Sequence, residues 1–201
     1  MTSHTPQLAV MLSGGGRTLD NLLAATKDGR LHARICLVIA STECKGAEKA
    51  RAAGIKTIIA PGTIASHDLE TMLAEASAQW VALAGYLKLV RVPQRFRGRI
   101  INIHPGLLPA FGGKGMHGMH VHEAVIASKQ NSSGCTVHLV DDQYDTGPIL
   151  MQMRCPVLAS DTPASLAARV FECECATYPR ALQELLHGTC VVPQLMPAGA
   201  T

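Results

Sequence analysis

The stretch INIHPGLLP, residues 101–109, places an amide and an imidazole two positions apart at the end of an apolar run. Residues two apart on a strand project to the same side, so Asn102 and His104 are expected to lie next to each other. Pro105 cannot extend the strand, and the chain must turn away there and leave both side chains at an open rim. An amide donor beside an imidazole can stabilise a developing oxyanion and transfer a proton. The alternative is that the two groups only hold the following loop in place.

An acid further along the chain favours the catalytic interpretation. The segment DDQYDTGPI, residues 141–149, holds three acids and a Gly-Pro turn between two predicted strands. If Asp145 folds back onto His104, its negative charge favours the imidazolium form and raises the pKa of His104. Asp141 and Asp142 have an ordinary alternative as solvated acids of a loop.

A glycine loop near the start of the chain is a second candidate site. Three consecutive glycines, residues 14–16, follow an apolar run and precede a helical pattern. Backbone amides at such a helix start converge on one spot and bind phosphate well. Leu19 does not fit a dinucleotide-binding fingerprint, and Arg17-Thr18 does not fit a P-loop. Arg17 points to a phosphate monoester, because a guanidinium binds phosphate oxygens in pairs. A tight turn without a ligand is the alternative.

A third cluster is rich in glycine and histidine. The segment GGKGMHGMHVH, residues 112–122, carries His117, His120 and His122. No acid or cysteine completes the spacing of a metal site, and His120 and His122 diverge around a helix start. We therefore expect no metal, and a mobile flap beside the active site instead.

The elements that must position these residues alternate between strands and helices. Strands are predicted at 8–12, 33–41, 55–61, 80–86, 98–104, 135–142 and 148–157, and helices at 18–29, 46–54, 67–79 and 120–130. A last helix is predicted after Thr162 as N-cap and Pro163 as first helical residue. This order predicts an α/β fold with a mainly parallel, doubly wound, Rossmann-like sheet, helices on both faces and an antiparallel C-terminal strand pair. Without repeats or linkers, residues 1–201 are expected to form a single domain.

Composition excludes several classes of function. The 201 residues are 47% hydrophobic with a mean hydropathy of +0.17, while aromatic residues make up 3% and the net charge is +3. So few aromatics and so mild a charge argue against nucleic acid as a partner. Seven cysteines without C-x-x-C pairs are typical of reduced thiols. No apolar run approaches the roughly 18 residues of a membrane span. We expect a cytoplasmic monomer or homodimer with no membrane partner.

Five segments together resemble the formyltetrahydrofolate-dependent formyltransferase family. The run N-I-H-P-x-L-L-P at 102–109, followed by D-x-G-P-I at 145–149, is specific for it. The similarity continues through AVMLSGGGRTLDNLL, ALAGYLKLV and ARVFECECATYP and so covers nearly the whole chain. The resemblance implies transfer of a formyl group from the co-substrate 10-formyltetrahydrofolate to the amine of glycinamide ribonucleotide in purine synthesis.

The resemblance also implies a role for each matching residue. Asn102, His104 and Asp145 match the family's catalytic residues, and Glu174 matches the acid that binds the ribose hydroxyls. The remaining matches are the phosphate loop and the folate-binding segments, namely Gly14, Gly15, Gly16, Arg17 and Thr18 for phosphate, and Leu87, Lys88, Leu89, Val90, Asp141, Asp142, Gln143 and Tyr144 for folate. Residues 1–100 are thus expected to form the phosphate side of the domain, and residues 101–190 its catalytic and folate side.

This chain departs from the family pattern in three places. The segment before Trp80 is shorter than expected, and His67 is the only candidate there for the arginine with which the family contacts folate. The other two departures lie near the acceptor. Arg17 and Thr18 stand where the usual phosphate loop has a small polar residue and an asparagine, and Gly106 replaces the usual serine after the proline. These differences concern the acceptor substrate and a hydrogen bond near it.

Other functions remain as alternatives. A formyltetrahydrofolate deformylase uses the same Asn, His and Asp but normally has an extra N-terminal domain, whereas this chain opens on its first predicted strand. A methionyl-tRNA formyltransferase has a C-terminal domain where this chain has the short segment VVPQLMPAGAT. A formyltransferase for a sugar nucleotide is a further candidate. A non-catalytic nucleotide-binding protein would keep residues 14–16 but would not need Asn102, His104 and Asp145 to converge.

Overall fold

Seven strands and five α-helices alternate along residues 5–189, the part of the chain that the computed structural model describes. The strands are β1 (Gln7–Leu12), β2 (Arg34–Ala40), β3 (Lys56–Ile59), β4 (Trp80–Leu83), β5 (Ile100–His104), β6 (Ser132–Leu139) and β7 (Ile149–Pro156). The helices are α1 (Arg17–Lys27), α2 (Lys45–Ala52), α3 (Ser66–Glu75), α4 (Met119–Ala127) and α5 (Pro163–Leu186). A short 3-10 helix (Gln94–Phe96) precedes β5.

The strands form one sheet in the order β3-β2-β1-β4-β5-β6-β7. Strands β1 to β5 are parallel to one another, whereas β6 pairs antiparallel with both β5 and β7. The predicted α/β fold with its mainly parallel sheet and antiparallel C-terminal pair is confirmed. Because the chain reverses its direction across the sheet between β1 and β4, their carboxyl ends border the crevice where such sheets bind ligands.

Both faces of the central strands are buried. Along β1, Leu8, Val10 and Leu12 pack into the core on one face, while Ala9 and Met11 pack into the core on the other. This explains why the strand is a continuous apolar run rather than an alternating one. Within residues 5–189, no helix combines the length and the apolar character needed to cross a bilayer.

Two predicted strands had boundaries that were wrong by three residues, and helix α3 ends four residues before its predicted end at residue 79. Strand β4 ends at Leu83 instead of residue 86, because the chain then bends toward β1 and the amide of Ser13 donates to the carbonyl of Gly85. Strand β6 covers 132–139 instead of 135–142. Its alternating pattern continues into the polar loop, but pairing with β5 stops at Leu139.

Helix α5 begins as predicted and then passes through a proline. Thr162 caps it in a capping box and Pro163 is its first residue. Pro179 lies inside the helix and has no N–H to offer the carbonyl of Cys175. The Asn21 side chain in α1 donates to that carbonyl instead, at 3.3 Å. This bond ties α1 to α5.

The hydroxyl of Tyr178 is expected to contribute measurably to stability. Tyr178 is fully buried, and its hydroxyl lies 3.0 Å from the carbonyl oxygens of both Leu83 and Ile101. Tyr178→Phe removes this donor, and we expect the free energy of unfolding to fall by about 1–2 kcal/mol. Urea denaturation measures the change. Tyr86→Phe is the control, since that hydroxyl makes no hydrogen bond within residues 5–189; equal losses in both variants would contradict the role of the bond.

Candidate active site

A cavity of about 660 Å³ opens at the carboxyl ends of β1, β4 and β5. Its size is typical of small-molecule sites. Side chains and backbone from six segments line it: residues 14–18, 83–90, 102–105, 113–118, a group around His138–Asp145, and Phe171 with Glu174. The cavity therefore brings together the glycine loop, the histidine strand and the last helix.

The backbone of the glycine loop packs closely against helix α2. Gly16 is the N-cap of α1 and has a φ of 73°, a left-handed conformation that favours glycine. A Cβ on Gly16 would lie 2.7 Å from the Cα of Gly46, so no larger residue fits without a shift. All five residues predicted to bind phosphate, 14–18, line the cavity.

The three residues predicted to be catalytic converge. His104 Nδ1 lies 3.5 Å from Asp145 Oδ2, and Asn102 Nδ2 lies 3.5 Å from Asp145 Oδ1. Asp145 has a φ of 58°, and its Oδ2 also accepts a hydrogen bond of 3.0 Å from the Gly113 amide. Separations this small fit a catalytic group and do not favour a protein that only binds a nucleotide.

The proton of the neutral His104 ring is assigned by its hydrogen bonds. His104 Nε2 lies 2.6 Å from the carbonyl oxygen of Phe111, which can only accept, so Nε2 carries the proton. Nδ1 is then the basic atom and faces Asp145. A Cβ on Gly106 would lie 3.1 Å from His104 Nε2 and 3.2 Å from the Phe111 oxygen. The glycine at 106 thus leaves room for this short bond.

Burial decides the direction in which the pKa of His104 moves. His104 is 3% exposed, and this burial lowers its pKa below the usual value, although Asp145 and the Phe111 carbonyl both favour the charged ring. The expected net rise was therefore wrong: the charge of Asp145 acts in the predicted direction, but desolvation outweighs it. For Asp145, burial acts to raise the pKa, but His138, His104 and the Gly113 amide together lower it below its usual value.

His138 is a site residue that the sequence interpretation missed. It lies directly across from Asn102 in the antiparallel pair of β5 and β6. His138 Nδ1 donates to the Leu139 carbonyl at 2.8 Å, so Nε2 accepts from Asn102 Nδ2 at 3.1 Å. These two hydrogen bonds fix which end of the Asn102 amide faces His138. Its signal in the sequence was a histidine in a predicted strand, but only the strand register reveals its partner.

The residues assigned to folate are divided by the structure. Leu87, Lys88, Leu89 and Val90 line the cavity, as do Gln143 and Tyr144. Asp141 and Asp142 do not line it. Asp141 accepts hydrogen bonds from Gln143 and Thr146 within its own loop. Asp142 forms an exposed ion pair with Arg97 at 2.7 Å.

The histidine-rich segment is divided between a loop and a helix. Residues 113–118 line the cavity, and α4 then begins at Met119. The rings of His117 and His120 pack edge to face on the surface, while His122 is buried. Among the described residues, no group of three or more His, Cys, Asp or Glu side chains is arranged to hold a metal ion.

Glu174 is a buried carboxylate at the edge of the cavity. Glu174 is 9% exposed, and burial raises its pKa to about 7, although Arg17 opposes the rise. The Glu174 carboxyl therefore binds its proton more tightly in the folded protein than in the unfolded chain, where its pKa is near the usual 4.5. The contribution of Glu174 to stability is present at low pH and is lost as the pH rises toward 7.

Glu174→Gln is therefore expected to remove one pH dependence of stability. Between about pH 5 and about pH 8, the free energy of unfolding of the wild type should fall by about 2 kcal/mol or more relative to that of the variant. Urea denaturation of both proteins at the two pH values measures this. A constant difference between them would show that Glu174 titrates normally.

Comparison with known proteins follows the same residues. The family model for formyl transferase matches residues 6–182, which include the glycine loop, the histidine strand, Asp145 and Glu174. The chain belongs to the formyl transferase family. The resemblance found in the sequence is confirmed at this level.

Individual relatives in the formyl transferase family are similar over most of this chain. It is 44% identical over 194 residues to a chloroplastic phosphoribosylglycinamide formyltransferase from Vigna unguiculata, and the match covers 92% of this chain and 62% of that protein. The chain thus spans less than two thirds of this plant relative. The crystal structure of glycinamide ribonucleotide transformylase 1 from Symbiobacterium toebii is 33% identical, with a TM-score of 0.86 and coverage of 96% of this chain and 92% of that one.

The same fold also carries another activity. A formyltetrahydrofolate deformylase from Pseudomonas syringae has a TM-score of 0.83 with 22% identity, covering 95% of this chain and 64% of that one. At this identity only the fold is shared. The shared fold therefore does not determine the reaction, which depends on the residues of the site.

Proposed function

We propose that this chain transfers the formyl group of 10-formyltetrahydrofolate to the amine of glycinamide ribonucleotide, a step of purine synthesis. The observation that carries the proposal is the convergence of Asn102, His104 and Asp145 in a cavity that also reaches the glycine loop. The Vigna and Symbiobacterium relatives are named for this acceptor, which supports the proposal.

Each polar group of the site has a role in the reaction. The acceptor amine attacks the formyl carbon and forms a new C–N bond, and the formyl oxygen becomes an oxyanion. One N–H of the Asn102 amide is held by His138, and the second, which faces Asp145 Oδ1 across a long 3.5 Å contact, turns to donate to this oxyanion. His104 Nδ1 takes the proton that the amine loses, and Asp145 stabilises the imidazolium that results. The oxyanion then collapses, the bond to N10 of the folate breaks, and His104 returns the proton to N10.

The two substrates occupy different parts of the cavity. The phosphate of the ribonucleotide binds at residues 14–18, where amides of the α1 N-terminus and Arg17 face it. The ribose hydroxyls donate to Glu174. The pterin packs against residues 87–90, and Gln143 and Tyr144 cover its other edge. In this proposal, residues 1–100 bind the phosphate and residues 101–190 carry the catalytic group and bind folate. Residues 87–90 are the exception, because they lie in the first half and bind folate.

One assay separates the transferase from its alternatives. The purified protein is incubated with 10-formyltetrahydrofolate, with and without glycinamide ribonucleotide, and release of tetrahydrofolate is followed. A transferase releases it only when the ribonucleotide is present. Release without an acceptor indicates a deformylase, and release only with an amino sugar nucleotide indicates a different acceptor. Either of these results would refute the proposed substrate.

A further inference from the structure

A guanidinium and an aromatic ring are in contact on the phosphate side of the cavity. Arg17 is the first residue of α1, and its Cζ lies 3.7 Å from the centroid of the Phe171 ring in α5. Attraction between a cation and an aromatic face is significant within about 6 Å of the centroid. Both side chains line the cavity, so the contact borders the space available to a ligand.

The hydrogen-bond donors of Arg17 are not used by the protein. Within residues 5–189 its guanidinium forms no ion pair and no hydrogen bond. A guanidinium has five N–H donors in one plane. Stacking on Phe171 uses the face of that plane and leaves the donor edge free. The pair is therefore arranged to hold an anion rather than to close a salt bridge.

Glu174 lies on the same helix as Phe171 and also lines the cavity. It follows Phe171 by three residues and so lies on the same face of α5. Its side chain is nine-tenths buried, lines the cavity and makes no hydrogen bond within the described part of the chain. The charge of Arg17 favours the ionised form of Glu174, but among residues 5–189 the carboxylate lacks a hydrogen-bond donor, which a ligand can supply. Hydroxyl groups of a sugar are such donors.

The helices that carry these residues are held together near the site. The Asn21 side chain in α1 donates to the carbonyl of Cys175, which Pro179 leaves without its usual partner. Asn21 lies one turn after Arg17, and Cys175 lies one turn after Phe171. This bond holds the backbones of the two helices together one turn away from the contact between Arg17 and Phe171.

We propose that Phe171 is a positioning residue that acts through Arg17 in binding the phosphorylated acceptor. It holds the Arg17 guanidinium by its face, so that the donor edge binds two oxygens of a phosphate monoester beside the glycine loop. Glu174 reads the sugar hydroxyls at the other end of the same group. This inference deepens the proposed function, and it gives Arg17, which replaces the small polar residue of the usual loop, a fixed position.

Phe171→Leu and Phe171→Tyr form a matched pair of variants. We expect Phe171→Leu to raise the KM for glycinamide ribonucleotide about fivefold or more, because the ring that orients Arg17 is lost. The kcat and the KM for 10-formyltetrahydrofolate should change by less than about twofold. Phe171→Tyr keeps the aromatic face and should behave like the wild type. Phe171→Met, which also lacks the ring but has a more flexible side chain that fills irregular gaps, replaces the leucine variant if that variant is unstable.

The same substitution in a second background isolates the contact. Arg17→Ala is expected to raise the KM for the ribonucleotide about tenfold or more with little change in kcat. If Phe171 acts through Arg17, then Phe171→Leu adds less than about twofold to the KM of Arg17→Ala. An equal effect in both backgrounds, or no effect in the wild type, overturns the inference.

Inorganic phosphate separates this inference from the proposed function. Calorimetry measures the affinity of the wild type and Phe171→Leu for phosphate, without any folate or ribonucleotide. Weaker phosphate binding by Phe171→Leu, together with no turnover of glycinamide ribonucleotide by the wild type, would support the phosphate contact and refute the substrate. Turnover by the wild type with equal phosphate affinity and equal KM in both proteins would refute the contact alone.

Discussion

His104→Ala is expected to lower kcat by at least about a hundredfold, because the proposed general base that faces Asp145 is lost. The neutral ring keeps its proton on Nε2, bonded to the Phe111 carbonyl, so Nδ1 is the atom that takes the proton of the attacking amine. Steady-state kinetics with both substrates at saturation measures the loss. Turnover close to that of the wild type would remove His104 from the chemistry.

A loss of folding must be distinguished from a loss of catalysis in this variant. Removing His104 leaves the Phe111 carbonyl without its donor, which costs about 1–3 kcal/mol of stability. His104→Asn keeps a polar donor near that carbonyl but cannot take up the proton, so it should be as inactive as the alanine variant. His67→Ala is the control, since His67 is exposed on α3 and lies outside the cavity. Thermal unfolding shows whether each variant is folded at the assay temperature.

The pH profile gives a second measure of His104. Burial lowers its pKa from the usual 6.5. A base must be neutral to act, so activity falls as the pH drops through this pKa. The acidic limb of kcat/KM that reports His104 is expected below pH 6.5. A limb above that value would show that the charge of Asp145 dominates after all.

Asp145→Asn is the second large effect, with an expected fall in kcat of about a hundredfold. The substitution preserves the shape of the side chain but removes the charge that faces His104 Nδ1 at 3.5 Å. The imidazolium formed during proton transfer then has no counter-charge. Because Asp145 raises the pKa of His104, its loss should also move the acidic limb of the profile to lower pH. Kinetics across the pH range measures both effects.

A purely structural role for Asp145 predicts a different result. Asp145 accepts a hydrogen bond from the Gly113 amide, so its loss also disturbs the loop over the cavity. In that case, the KM values would rise while the acidic limb stayed in place. Asp68→Asn makes the same chemical change at an exposed position on α3 and should leave kcat within about twofold of the wild type.

The order of elements and the first half of the catalytic group follow from local sequence patterns. Asn102 and His104 are two residues apart on one strand, and the alternation of side chains is a local property. The capped start of α5 was equally local, since Thr162 and Pro163 carry its signal. The glycines at 14–16 marked a turn between a strand and a helix for the same reason.

Which distant groups meet these residues depends instead on how the elements pack. His138 faces Asn102 because β6 pairs with β5 in one particular register. Phe171 contacts Arg17 because α5 packs against α1, where the Asn21 side chain also bonds the carbonyl of Cys175. The direction of the His104 pKa depends on how much water the fold excludes, and the sequence indicates its charged neighbours but not that exclusion. Local spacing follows from the geometry of one strand or helix, whereas partners and burial arise only when the elements pack together.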